Sequence, residues 1–311
     1  MIWGSAGFLT GTVLGSFIKV LADRSLSNKS FRGRSYCPSC RAGLRWYDLF
    51  PIFSYLYLRG RCRYCKKKIG IEYLLVEVGM GLLIGFLFWQ QSSDFQFTIF
   101  NIQSIFSLQF SISHFKIPIF LLELLFKTFF IAVLAILFLT DLKKMFIPDR
   151  ITIPSILIGI VLGLIITVIK IAYLYYTLLQ TPLGRQLLPP KNEYFMRHVY
   201  LIAEPFFGSL LVGTAIAGFF LSLIIITRGK GMGGGDVKLG AFIGIMLGFP
   251  QALFALILSF LTGAILSVVL IILGKKSFGQ TIPFGPFLVL GSLIMLFWGA
   301  QIVDWYLSLS G

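Results

Sequence analysis

The 311-residue chain is 57% hydrophobic and only 13% charged, with a formal net charge of +15. A soluble domain carries about 25% charged residues, so this composition excludes one. The basic residues lie mostly between long uncharged runs, which speaks for membrane topology rather than a nucleic-acid partner. In hydrocarbon the backbone must satisfy its own hydrogen bonds, so these runs are predicted as helices. They lack the alternation of barrel strands. The expected class is an all-α polytopic membrane protein, with about eight transmembrane helices and a small cysteine-containing cytoplasmic subdomain.

The first run, 1–21, could pass for a signal peptide, but Lys19, Arg24 and Lys29 follow its apolar core instead of preceding it. It reads as a retained anchor with its N-terminus outside. The segment 22–72 is rich in arginine and lysine and holds all four cysteines; it is expected to be the cytoplasmic subdomain. The remaining membrane domain is 73–311, with spans at 73–91, 117–139, 151–174, 206–227, 239–253, 254–273 and 283–303 by the ~20-residue criterion. The run from Leu239 to Leu273 is long for one span and short for two, and Gly248 and Pro250 supply a break. Eight crossings put Lys143, Lys144, Arg150, Arg228, Lys230, Lys238, Lys275 and Lys276 on the cytoplasmic side with segment 22–72. The opposite loops, 92–116 and 175–205, carry little charge. His114 and His198 fall in them without metal-ligand spacing and are expected to be ordinary loop residues.

Cys37-Pro-Ser-Cys40 and Cys62-Arg-Tyr-Cys65 are two C-x-x-C pairs. Together they can supply four thiolates to one tetrahedral, structural zinc, although their separation slightly exceeds the usual zinc-ribbon range. The alternatives are four reduced thiols in a compact loop, or a redox pair. Stable disulfides are unexpected in a reducing cytoplasm. The core of this subdomain is expected to draw on Trp46, Tyr47, Phe50, Ile52 and Tyr55.

Carboxylates near a bilayer are costly and face protein or a wet cavity. Glu123 and Lys127, four apart, are expected to pair along one helix, whereas Asp94, Glu193, Glu204 and Asp304 read as solvated. Asp141 stands where the third span meets the cytoplasm. Asp236 ends Gly231-Met-Gly-Gly-Gly-Asp236 at the mouth of the sixth. Two carboxylates brought together share one proton and can activate water against a peptide carbonyl. The glycines before Asp236 would let a neighbouring helix or an extended substrate approach. Spacing alone leaves catalysis evenly balanced against a helix cap for Asp236 and a merely interfacial acid for Asp141. For Asp149, just before the fourth span, an N-cap role is the better reading.

In one order the chain carries Gly15-Ser16-Phe17, Arg34-Ser-Tyr-Cys37-Pro-Ser-Cys40, Leu44-Arg-Trp46-Tyr47-Asp48-Leu-Phe-Pro51, Leu58-Arg59-Gly60-Arg61-Cys62-Arg-Tyr-Cys65, Tyr73-Leu-Leu-Val-Glu77, Asp141 through Asp149, Gly233-Gly-Gly235-Asp236-Val-Lys238 and Ile282-Pro283-Phe284-Gly285-Pro286. Together these stretches resemble the bacterial type IV prepilin peptidases, also called leader peptidase/N-methyltransferases. The resemblance implies that Asp141 and Asp236 are a catalytic pair at the cytoplasmic face of the bacterial inner membrane. It implies prepilin or pseudopilin substrates, cleaved after the glycine that ends the leader. It also implies, for many relatives, N-methylation of the new N-terminus with S-adenosylmethionine, an activity associated with the cysteine-bearing region. Lys19 stands where the family has asparagine, and Asp23-Arg24-Ser lacks the family's proline; both departures bear on methylation more than on cleavage. Two other readings compete. One is a different GxGD-type intramembrane protease, which the cysteine segment argues against. The other is a transporter or assembly protein, which should carry more acids near mid-membrane.

Overall fold

The computed structural model describes residues 2–27, 29–31, 33–102, 109–188, 193–229, 232–275 and 282–310, the side chains of 93–102, 109–117 and 310 excepted. Ten α-helices are seen among them: α1 (Ile2–Leu26), α2 (Phe53–Tyr57), α3 (Ile71–Ile102), α4 (Gln109–Lys144), α5 (Asp149–Leu179), α6 (Pro182–Gln186), α7 (Tyr194–Ile226), α8 (Gly234–Leu247), α9 (Gln251–Ile272) and α10 (Gly285–Ser310). Seven are long and apolar enough to cross a bilayer: α1, α3, α4, α5, α7, α9 and α10. The described residues contain no strand, only isolated bridges between Tyr36 and Gly43 and between Arg61 and Lys68.

The expected sixth span, 239–253, is instead the 14-residue α8. At 1.5 Å per residue it reaches ~21 Å, short of the ~30 Å hydrocarbon layer. It ends where the sequence suggested: Gly248 takes φ +67°, and α9 starts just after Pro250. The predicted loops shrink as well. α3 runs to Ile102 and α4 starts at Gln109. α5 continues to Leu179 and stops just before Thr181, whose side chain accepts a hydrogen bond from the Gly184 N–H at 3.0 Å with Pro182 behind it.

The chain forms two compact units. The first comprises 1–100 and 131–148: α1, the cysteine lobe, most of α3 and the end of α4. Inside it, Gly7, Gly11 and Gly15 recur every four residues and turn one face of α1 to α3. A Cβ on Gly11 would lie 2.5 Å from the Met80 carbonyl oxygen, and one on Gly15 2.9 Å from Glu77 Cα. Between apolar helices in lipid, such close backbone approach supplies the packing energy that the hydrophobic effect cannot.

The second unit comprises 101–130 and 149–311. It is built around α8, whose Leu239, Phe242 and Ile243 are fully buried. Gly240 and Gly244 face α7: a Cβ on Gly240 would collide with the Phe220 ring, and one on Gly244 would come within 2.5 Å of Gly213 Cα. The Phe242 ring also meets Phe130 at 5.5 Å and Phe129 edge-on at 6.4 Å. A short helix is thus buried among longer ones, with Asp236 in its first turn.

Candidate functional site

The two C-x-x-C pairs fold as two copies of one knuckle. In the first, the Cys37 N–H donates to Ala42 O at 3.0 Å and the Arg41 N–H to Cys37 O at 2.8 Å; in the second, the Cys62 N–H donates to Lys67 O at 2.9 Å and the Lys66 N–H to Cys62 O at 2.9 Å. The residue after each second cysteine, Arg41 or Lys66, has φ near +57°. That left-handed step turns the backbone around the sulfurs. The four Sγ atoms lie within 4.8 Å of one another, Cys37 and Cys62 buried, Cys40 and Cys65 exposed. Cys37 Sγ and Cys65 Sγ are 3.9 Å apart. Zn–S bonds of about 2.3 Å in a tetrahedron require sulfurs ~3.8 Å apart, so the donor set and its spacing fit one metal ion. Burial pushes the Cys37 thiol up, but the backbone N–H groups of Cys40 and Ser39 outweigh it and bring it down to about 7. The Ala42 N–H draws the Cys40 thiol down; desolvation and the neighbouring thiols prevail and raise it to about 11.

Of the residues expected in this lobe's core, Tyr47, Ile52 and Tyr55 are half-buried, whereas Trp46 is 78% exposed and Phe50 54%. Asp48 adds a polar tie: its side chain, 2% exposed, pairs with Arg63 Nε at 2.7 Å and accepts the Arg45 N–H at 3.2 Å. Arg63 lies between the cysteines of the second knuckle, so the pair ties the turn Trp46–Leu49 to the sulfur cluster. A lobe this small lacks the volume for a hydrophobic core, and polar pairing with a thiol cluster takes that role. Arg24, at the end of α1, binds the carbonyls of Phe31, Gly33 and Arg34 at 2.8–3.1 Å and fixes the lobe's entry. Between the lobe and the helices of the first unit lies a cavity of about 930 Å³, its lining including Asp23, Arg24, Tyr36, Tyr55, Tyr73 and Glu77.

Asp141 lies inside α4, three residues before its end, and is 5% exposed. Asp236 is half-buried in the first turn of α8. Asp141 belongs to the first unit and Asp236 to the second. Around Gly233 and Gly234 there is open space; the nearest atom to a Cβ on Gly233 would be Asp236 Oδ2, 3.9 Å away. Helix packing therefore does not demand these two glycines, in contrast to Gly240 and Gly244. The segment's Gly231 and the nearby Lys230 lie outside the described residues.

Two family models match the chain, in order: the bacterial peptidase A24 N-terminal domain over 9–91, and the type IV leader peptidase family over 128–268. The chain belongs to the type IV leader peptidase family. A prepilin leader peptidase/N-methyltransferase of Bacillus subtilis is 28% identical over 97% of each chain. Proteins of the same name from Legionella pneumophila (28% identical; 89% of this chain, 77% of the relative) and Pseudomonas aeruginosa (26%; 89% and 76%) are also similar. No solved structure matches the chain. The family and the seven apolar helices make this leader peptidase relative a multi-pass bacterial inner-membrane protein.

Within this leader peptidase relative, the unusual Lys19 has a structural explanation. Its side chain is 1% exposed, pairs with Asp23 at 2.6 Å and Glu72 at 3.4 Å, and lies 4.3 Å from the Tyr73 ring centre. Lys143, two residues after Asp141, pairs with Glu72 at 2.7 Å and Asp23 at 3.1 Å. Two cations and two anions thus cross-link α1, α3 and the end of α4. The sequence reading treated Lys143 as one of many topology charges and passed over Glu72; an acid in the first turn of a span was the available signal. Lys19→Met leaves both acids with Lys143 alone. We expect it to lower stability by about 1–3 kcal/mol, below the cost of orphaning a fully buried charge, read as a lower thermal midpoint in detergent.

Asp149 opens α5, where a carboxylate suits the helix's positive end, and it pairs with Lys238 at 2.6 Å. The pair is 57% and 39% exposed. Such a contact is worth at most about 1 kcal/mol. Asp149→Asn is therefore expected to leave cleavage within about tenfold of wild type, and a complete loss would place Asp149 in the chemistry. Glu123 pairs across helices with Lys170 of α5 at 2.7 Å, a partner the sequence reading did not assign. Glu193, Glu204 and Asp304 are exposed as expected, and the side chains of Asp94 and His114 lie outside the described residues. His198 contacts its own helix: its Nδ1 lies 2.9 Å from Tyr194 O and its ring stacks on Tyr194.

Proposed function

We propose that the chain is an aspartyl endopeptidase that removes leader peptides from type IV prepilins and pseudopilins, with Asp141 and Asp236 as its catalytic pair. The observation that carries this reading is the end-to-end similarity, over 97% of both chains, to a relative named for that activity. The burial of Asp141 and the open space beside Gly233 and Gly234 support it. The two carboxylates share one proton: the ionised one draws a proton from water, and the protonated one polarises the scissile carbonyl. Water then attacks without a covalent intermediate, and the apparent pKa values belong to the pair. The positive-inside pattern supports an active site at the cytoplasmic face, where leaders present their basic ends.

Cys37, Cys40, Cys62 and Cys65 would hold a structural zinc, which supplies a cross-link between the knuckles and no step of the hydrolysis. The cavity beside the lobe has the acidic, basic and aromatic lining that S-adenosylmethionine calls for, so N-methylation of the new N-terminus is the proposed second activity. The competing transporter reading calls for unpaired acids deep in the spans, whereas Glu123 is paired. The test is cleavage of an intact prepilin by purified protein in detergent or liposomes. Failure of folded wild-type protein to cleave would turn the reading toward another substrate or a non-enzymatic role.

A further inference from the structure

The turn Trp46–Leu49 and helix α2 leave an apolar face exposed. Trp46, Phe50, Phe53, Leu56 and Tyr57 are 78, 54, 64, 60 and 80% exposed. Positions 53, 56 and 57 share one side of α2, being three and four residues apart. The Phe50 ring packs against Phe53 at 5.9 Å and extends that side. A patch of large apolar side chains in a lobe so polar elsewhere marks a contact surface.

The anchoring of this face sets its depth. The Ile52 N–H donates to Glu77 Oε2 at 2.8 Å, and the Tyr55 hydroxyl reaches Ile69 O at 3.4 Å. Glu77 is six residues into the span Ile71–Ser92, about 9 Å along its axis. The headgroup layer is about 5–7 Å thick on each side of the hydrocarbon. The backbone at the start of α2 is thus tied to the level at which headgroups give way to acyl chains. Around it, Arg45, Arg59, Arg61, Lys66, Lys67 and Lys68 are exposed, while the nearby Asp48 is buried against Arg63.

We propose that the Trp46–Tyr57 face is seated in the headgroup–acyl boundary of an anionic leaflet. Trp46 and Tyr57 sit among the headgroups, Phe50, Phe53 and Leu56 reach the upper acyl chains, and the flanking cations meet anionic lipid. The lobe then lies against the membrane surface and is not free in solution. This inference rests on the membrane reading and not on the peptidase activity, so the two can fail separately.

The test places the photo-crosslinker p-benzoylphenylalanine at Phe53 or Tyr57 of the full chain, reconstituted in phosphatidylcholine–phosphatidylglycerol vesicles. Lipid adducts at both positions are expected, with yield falling severalfold in phosphatidylcholine alone. Adducts only to added prepilin would overturn the proposal and assign the face to substrate; no adducts at either position would overturn it in favour of solvent exposure. A second readout avoids any disturbance by the label. Brominated lipids should quench a fluorescence component that Trp46→Phe removes, and unchanged quenching in that variant would place Trp46 outside the bilayer.

Discussion

Asp141→Asn and Asp236→Asn are each expected to lower prepilin cleavage by at least about 10³-fold, in the range set by loss of a general acid or base. Asparagine keeps the shape of aspartate but can neither take a proton from water nor share one with the other carboxylate. Two residues acting as one unit give non-additive losses, so the double variant should be little worse than either single one. Both changes should leave insertion intact. Asp236 lies in a first helix turn next to the unpacked Gly233 and Gly234, and the end of α4 is also held by Lys143 through Asp23 and Glu72. The measurement is the single-turnover cleavage rate of each variant in liposomes, with thermal unfolding as the control for fold. A folded variant within tenfold of wild type would remove that aspartate from the pair. The contrast with Asp149→Asn matters here, because all three acids lie in the segments that carry the family resemblance and only two are expected to be indispensable.

The second large effect concerns the sulfur cluster. The double change Cys62→Ser, Cys65→Ser should abolish zinc binding, since it deletes one knuckle's entire donor set. A structural zinc contributes roughly 10–16 kcal/mol of apparent binding energy near neutral pH, and a lobe without an apolar core has little to replace it. Metal analysis of freshly purified, reduced wild type should find about one zinc per chain, as four thiolates in a tetrahedron require. Limited proteolysis of the variant should cut within the lobe while the spans survive. Wild type with no zinc would end the metal reading.

The pH dependence has a definite sign. A zinc-bound cluster would consist of thiolates, whereas in the metal-free cluster Cys37 is brought down to about 7 and Cys40 raised to about 11. The metal-free state therefore binds more protons, so acid favours release and affinity rises with pH through the window between those two values. Zinc retention that is flat between pH 6 and 9 would contradict this.

Much of this molecule was legible because lipid imposes simple rules. Long apolar runs must be helices, and C-x-x-C pairs must bring sulfurs together once they form knuckles. The break at Gly248 and Pro250 was also visible as local chemistry. The close-packed glycines were written in the sequence too, as Gly7-x-x-x-Gly11-x-x-x-Gly15 and Gly240-x-x-x-Gly244, but a four-residue glycine spacing does not say which neighbour it meets.

Where the reading went astray, the deciding partner lay far away in the chain. Hydropathy could not tell that the α8 segment packs among protein neighbours, because burial against α7, Phe129 and Phe130 leaves the same apolar signature as burial in lipid. Trp46 and Phe50 were expected in a core, yet they are exposed, since contacts such as the Asp48–Arg63 pair and the Ile52–Glu77 hydrogen bond determine which way that segment faces. Lys19 looked like a departure until Asp23, Glu72 and Lys143 surrounded it. The sequence by itself determined the class, the helices, the knuckles and the candidate aspartates, all of which follow from local pattern and from the cost of bare backbone in hydrocarbon. Tertiary structure alone decided which charges neutralise each other and which apolar faces stay open, because Coulomb and packing energies depend on separation in space, and residues as distant as 19 and 143 share one ion-pair network.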